Sequence, residues 1–263
     1  MSASFKLGIV GGAGWLGGAI AGAALAAGVV RVEDLALSYR SAKPDRFSGA
    51  FWTDDNQALA DRSDVIMLSV RPQGWPSLEL DAKGKLVISV MAGIRLAEIG
   101  EKHGTRRVAR TLPNAAAEVG KSYTPWIASG DTTEVDRATV RAIFDACGVE
   151  DEVATERDID YLTGLTGSGP AFPALLADAM MRDAVAFGLS PDVARRAVNT
   201  VLTGTGRLLK LNDASPADTV EAFLGYRGTT AAAIETMREA GFDEAVAKGL
   251  AAAFLKSIAM GKL

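Results

Sequence analysis

Short apolar runs set the rhythm of the first 155 residues. Residues 7–10 (L-G-I-V), 35–39, 65–70 (V-I-M-L-S-V), 86–90 and 107–112 each read as a strand. The segments between them have helical period or turn composition, the pattern of a parallel sheet with crossover helices. Residues 123–128 and 149–153 add two further strands. A helix over 132–146 lies between them, with Asp131 placed to cap it and Gly148 to end it. From Asp158 onward the strand signal is lost, and residues 169–187, 191–211, 216–223, 229–239 and 243–262 all read as helices. Pro191, Pro216 and Gly228 sit near their starts, Gly188 and Gly241 near their ends. Pro173 either kinks the first of these helices or marks its first turn. Several are apolar around much of their circumference, as in A-F-P-A-L-L-A-D-A-M-M, so they require burial. Packing against a second copy would supply it, which predicts an obligate homodimer or larger homo-oligomer through the C-terminal helices.

Composition narrows the class. The chain has 263 residues, enough for one large domain or two ordinary ones, with 48 % hydrophobic and 23 % charged residues. A net charge of −4 leaves no general electrostatic footprint for nucleic acid. The single cysteine, Cys147, excludes an internal disulfide and a cysteine metal cluster. With no 18-residue apolar run and no signal-peptide pattern, a soluble cytoplasmic protein with no membrane partner is expected.

The first strand runs directly into Gly12, Gly14 and Gly17, in G-x-G-x-x-G spacing, and an alanine-rich helix follows with Gly28 placed as its C-cap. In the dinucleotide reading, Gly12 allows the tight turn, Gly14 admits a pyrophosphate to the backbone, and Gly17 lets helix and strand approach. Residues Gly12, Ala13, Gly14, Trp15, Leu16 and Gly17 are then cofactor-binding, with the helix start facing an anion. The competing reading is a purely structural turn. No lysine stands where a nucleotide-hydrolysing phosphate loop needs one. At the end of the second strand, Arg40 and Ser41 occupy the place of a 2′-phosphate partner, whereas Glu33 and Asp34 lie at the strand's other end. NADP(H) is therefore favoured over NAD(H), against a solvated surface arginine. These features predict an α/β N-terminal domain over residues 1–155, a Rossmann-type doubly wound parallel sheet. An all-α dimerisation and substrate domain over residues 156–263 follows it.

Six segments in order carry a more specific signal: the glycine turn, Val70-Arg71-Pro72-Gln73, Ala92-Gly93-Ile94, Leu112-Pro113-Asn114, Gly167-Ser168-Gly169-Pro170-Ala171 and Gly228-Thr229-Thr230. Together they resemble the pyrroline-5-carboxylate reductase family, over about residues 6–262. The resemblance implies NADPH-dependent reduction of the cyclic imine 1-pyrroline-5-carboxylate to proline. It implies cofactor contacts at Asn56, Val70, Arg71, Pro72, Ala92 and Gly93. It places Thr230 at the substrate, as its holder and proton relay, beside Thr229. Glu156 and Ser168 join them, Glu156 facing the iminium charge. Without the resemblance, the two threonines read as helix caps and Glu156 as an exposed loop carboxylate. Hydride transfer to an iminium needs no nucleophile, metal or strong base, and the sequence offers no such set. The lone histidine, His103, reads as a surface residue at a helix end.

The chain departs from the family pattern in three places. Arg71 stands where lysine is usual, and Trp15-Leu16 replace Asn-Met. Gly225-Tyr226-Arg227-Gly228 replaces S-P-G-G before the threonines. That altered loop keeps two alternatives open: a paralogous reductase acting on another cyclic imine or oxo acid, and a catalytically silent NADP-binding sensor. A hydroxy-acid dehydrogenase fits less well, for want of a helix-borne lysine acid/base.

Overall fold

The computed structural model describes residues 5–211 and 215–261. Lys262, the last residue of the final expected helix, lies outside them. Eight strands form one sheet: β1 (Leu7–Val10), β2 (Leu35–Ser38), β3 (Phe51–Thr53), β4 (Val65–Leu68), β5 (Leu86–Ser89), β6 (Val108–Thr111), β7 (Ser122–Ala128) and β8 (Gly148–Glu152). Five helices accompany them: α1 (Trp15–Ala26), α2 (Asn56–Asp61), α3 (Leu96–His103), α4 (Glu134–Asp145) and α5 (Glu156–Leu162). Then come α6 (Ala171–Ala186), α7 (Pro191–Leu211), α8 (Pro216–Gly225), α9 (Thr229–Glu239) and α10 (Phe242–Met260).

The strand order is β3-β2-β1-β4-β5-β6-β7-β8. The first six run parallel, as the apolar runs predict, because each short strand is followed by a crossover long enough to return. Successive side chains alternate between two cores. Ile9, Met67 and Ile88 are in register and face α1 and α4 with Ile20 and Phe144. Val10, Ile66 and Leu68 pack on the opposite face with Leu59 and Ile99. Burial on both faces is what makes these strands read as continuous apolar runs.

Four expectations need correction. β7 pairs antiparallel with β6, because residues 112–121 between them hold only a 3₁₀ turn (Ala115–Val119), too little for a crossover. β3 was not expected: it is three half-buried residues pairing only with β2, too short for a periodic signal. α4 is capped by Thr133 rather than Asp131. Thr133 and Asp136 form a reciprocal capping box, and Arg107 also donates to Asp136 through Nε at 2.9 Å. Gly148 opens β8, whereas α4 stops at Asp145.

Two compact units are present, Met1–Ser168 with Ala252–Leu263 and Gly169–Ala251. The second holds α6 to α9 and the start of α10. Pro173 falls in the first turn of α6, where a missing N–H is tolerated. Among the described residues of this unit the buried hydrophobics are Ala194, Val198 and Ala231, while Leu175, Phe187 and Leu208 are exposed. Helices so apolar on the outside meet the condition from which an oligomer was predicted.

An ion network joins β6 to α5 and to the start of α3. Arg110 on β6 is 0 % exposed and donates to Asp160 Oδ1 at 2.7 Å and to Glu156 Oε1 at 3.3 Å. Arg95, the residue before α3, takes the other oxygen of Asp160 at 2.8 Å. His103 is a correction too: it ends α3 as expected but is 1 % exposed. Its Nδ1 donates to the Leu80 carbonyl at 3.0 Å, which leaves Nε2 bare, and its ring meets Trp75 edge-on. Burial holds its pKa below the ordinary value, with Lys102 adding to the effect.

Removing the carboxylate charge of Asp160 leaves the fully buried Arg110 guanidinium with only its longer bond to Glu156, so Asp160→Asn is expected to cost about 3–5 kcal/mol. A urea midpoint within error of the parent would show that the network contributes nothing. Neutral His103 gives a separate signature. Its unfolded form takes up a proton below about pH 6.5 and its folded form does so only lower, so stability falls as pH drops through that window. Above the window the histidine contributes no slope. His103→Gln is expected to flatten this segment of the stability–pH curve, and equal slopes in the two proteins would refute the assignment.

Candidate functional site

β1 lies between β2 and β4, so the chain leaves the sheet in opposite directions on its two sides, and the crevice at the carboxyl ends opens there. The loops that leave these ends carry the expected cofactor residues. The turn after β1 is held from both neighbours. Gly11 N–H donates to Ser38 Oγ at 2.9 Å, Ala13 N–H to Ser38 O at 3.1 Å, and Ser69 N–H to Val10 O at 2.9 Å. Sequence spacing misplaced one role: the left-handed residue of the turn is Gly11, φ +80°, and not Gly12. Gly12 is required instead for close approach, since a Cβ there would meet Leu37 Cδ2 at 2.6 Å. Gly17 serves as expected, with a Cβ blocked by Gly11 O at 2.8 Å.

α1 starts at Trp15 with Gly14 as N-cap, no side-chain cap and no acidic residue in its first turn. The first N–H groups of the helix, on Trp15, Leu16 and Gly17, therefore have neither an intrahelical nor a capping partner. That donor set fits an anionic pyrophosphate. The Trp15 indole is half-exposed and donates to Glu118 at 3.1 Å. Gly28, φ +69°, ends the helix as expected.

Arg40 and Ser41 follow β2 and are exposed, in the place expected of a 2′-phosphate partner. Asn56 opens α2 behind the capping residue Asp55. Val70, Arg71 and Pro72 leave β4 into a 3₁₀ turn, with Arg71 exposed. Ala92 and Gly93 leave β5, and Gly93 takes φ +85° against the end of α10. A Cβ on Gly93 would meet Gly261 N at 2.7 Å, and one on Gly261 would meet Gly93 O at 2.2 Å.

Glu156 is not an exposed loop residue: it sits half-buried in the first turn of α5. Its Oε1 accepts from Leu96 N–H at 3.0 Å and from Arg110, whereas Oε2 takes neither bond. Thr163–Gly167 then makes a single π-helical turn, a distortion common at functional sites. Ser168 closes it by donating from Oγ to Thr163 O at 3.3 Å. In the second unit, Thr229 and Thr230 are the first two residues of α9, exposed, behind the N-cap Gly228. They do not serve as its N-cap. The altered loop before them has a consequence for the backbone, as Arg227 adopts φ +49°, a conformation that favours glycine.

Residues that spacing did not reveal include Ser38 and Ser69, which fix the turn, and Arg46. Arg46 Nη2 donates to the carbonyls of Gly12 at 2.9 Å and Gly14 at 3.2 Å. The polar stretch K-P-D-R-F gives no hint of this, although the additional glycine at position 18 was an available signal. Among the described residues there is no group of three histidine, cysteine or acidic side chains able to hold a metal. Cys147 is buried, and burial raises its thiol pKa to about 11, so it is inert. No helix among the described residues is long and apolar enough to cross a membrane.

An open, mostly parallel sheet with an uncapped glycine turn at its switch point, followed by an all-helical region, defines an NAD(P)-binding oxidoreductase. Residues 6–93 match the family model "NADP oxidoreductase coenzyme F420-dependent", and residues 156–260 match "Pyrroline-5-carboxylate reductase dimerisation". The chain is 32 % identical to the pyrroline-5-carboxylate reductase of Synechocystis sp., over 98 % of this chain and 99 % of that one. A Coxiella burnetii pyrroline-5-carboxylate reductase structure superposes with a TM-score of 0.90 at 25 % identity, covering 99 % of this chain and 100 % of that one. A Plasmodium falciparum pyrroline carboxylate reductase with NADP bound gives 0.86 at 26 % identity, covering 99 % of both chains. The chain belongs to the pyrroline-5-carboxylate reductase family.

Proposed function

We propose that this protein reduces 1-pyrroline-5-carboxylate to proline with NADPH. The observation that carries this reading is the uncapped, acid-free start of α1 at the switch point, within a chain of this family. When bound, NADPH supplies a hydride to the imine carbon, and the ring nitrogen ends protonated. The glycine turn and the N–H groups of Trp15, Leu16 and Gly17 hold the pyrophosphate. Arg40 and Ser41 hold the 2′-phosphate, which sets the preference for NADP(H). Asn56, Val70, Arg71, Pro72, Ala92 and Gly93 line the rest of the dinucleotide site.

Thr229 and Thr230 offer two hydroxyls and the free N–H groups of the first turn of α9 to the substrate carboxylate. Thr230 holds the substrate and relays the proton. Glu156 keeps Oε2 for the iminium charge while its other oxygen anchors α3, and Ser168 shapes the neighbouring turn. Functionally the division runs between a dinucleotide domain, residues 1–155, and a substrate and oligomerisation domain, residues 156–263. Self-association through the exposed apolar helices gives a homodimer or a larger homo-oligomer.

Addition of the pyrroline to protein and NADPH is expected to discharge absorbance at 340 nm, and Thr230→Ala to lower kcat/KM by about tenfold or more with the fold intact by circular dichroism. Turnover of a six-membered imine with none of the pyrroline would instead assign the Tyr226–Arg227 loop to another substrate. Arg40→Ala is expected to raise the KM for NADPH by about tenfold and leave that for NADH unchanged. Equal effects on both nicotinamides would remove Arg40 from the 2′-phosphate site.

A further inference from the structure

Gly18 lies outside the dinucleotide fingerprint, and the reading of the turn gives it no task. Its surroundings do. A Cβ at this position would fall 2.0 Å from Arg46 Nη2 and 2.4 Å from Cζ. The guanidinium therefore lies where the side chain of residue 18 would be, flat against the first turn of α1. From there Nη2 reaches the carbonyls of Gly12 and Gly14, on either side of Ala13. Both acceptors are neutral, so the turn gains a full positive charge close to the helix start.

The segment that delivers Arg46 is itself held in a costly conformation. Phe47 adopts φ +53°, rare for a bulky residue, and stacks on Trp52 with centroids 6.5 Å apart. Its ring approaches the Cβ position of Gly22 at 3.8 Å, one turn along α1. Strain of this kind persists where the surrounding packing overrides it, and here it directs the preceding arginine onto the glycine turn.

We propose that Arg46 is a positioning residue for the dinucleotide. It clamps the carbonyls of Gly12 and Gly14; across the Gly14 peptide the unpartnered N–H of Trp15 is thereby aimed at the pyrophosphate, and Arg46 adds its charge there. The inference rests on the dinucleotide reading of the turn and extends it to a side chain in the β2–β3 loop. Because the pyrophosphate is common to both nicotinamides, Arg46 serves NADP and NAD alike, in contrast to Arg40.

The test is calorimetric titration of both nicotinamide dinucleotides into the full chain and its variants, with kcat at saturating cofactor. Arg46→Ala is expected to raise the Kd of NADP and of NAD by about the same factor, roughly tenfold, with kcat within about twofold of the parent. Arg46→Lys keeps the charge without the planar fork and is expected to fall between the two. Gly18→Ala, which favours the helix but displaces the guanidinium, is expected to reproduce the loss and keeps the test open if Arg46→Ala misfolds. Unchanged affinities, a loss confined to NADP, full rescue by lysine, or a parallel fall in kcat and melting temperature would each overturn the clamp. A parent protein that binds neither dinucleotide would instead sink the reading beneath it.

Discussion

A guanidinium with no access to water must be answered by carboxylates, and Arg110 is such a group. Asp160 and Glu156 answer it from α5, and Asp160 is shared with Arg95 at the entry to α3. The chain after β8 is thereby fixed to β6 and to the loop that leaves β5. A buried ion pair contributes little net stability compared with a well-packed apolar substitute, but losing one partner is severe. It therefore specifies one arrangement of β6, α3 and α5 and penalises the alternatives. The π turn and Ser168 follow directly from α5, so their placement inherits that specification.

The other half of the design is an arrangement of donors in a helix turn that carries no acidic residue of its own. α1 begins without a capping side chain, and the turn before it is restrained from β2 by Ser38, from β4 by Ser69 and from the following loop by Arg46. A flexible glycine loop would lose conformational freedom on closing around a phosphate. Restraints already present in the protein reduce that loss. Arg46 does so with a charge of the sign the ligand requires.

Much of this was legible in the sequence. Strands buried on both faces declare themselves as apolar runs, and glycine spacing marked the turn and its ligand class. Directions and partners were less visible. Nothing in S-Y-T-P-W-I-A says that β7 runs against β6; only the shortness of the preceding connection does. Arg110 and Asp160 are 50 residues apart, and nothing in either local stretch marks the other as its partner. His103, in a polar stretch, read as exposed because its burial depends on Leu80 and Trp75 from a distant loop. Gly12 and Gly11 exchanged roles because spacing identifies which glycines cluster but not which one turns left-handed. The substrate residues were named by likeness to a family, and only their local settings are described by the fold.

The close seating of Gly261 on Gly93 has a consequence for biogenesis. Every piece of the turn after β1 has left the ribosome before the second half of the chain is made. The loop after β5 is different, since its backbone is closed off by a residue translated after the whole helical stretch. A nascent chain can thus assemble the turn after β1 early, while the loop at Gly93 waits for the last turn of α10.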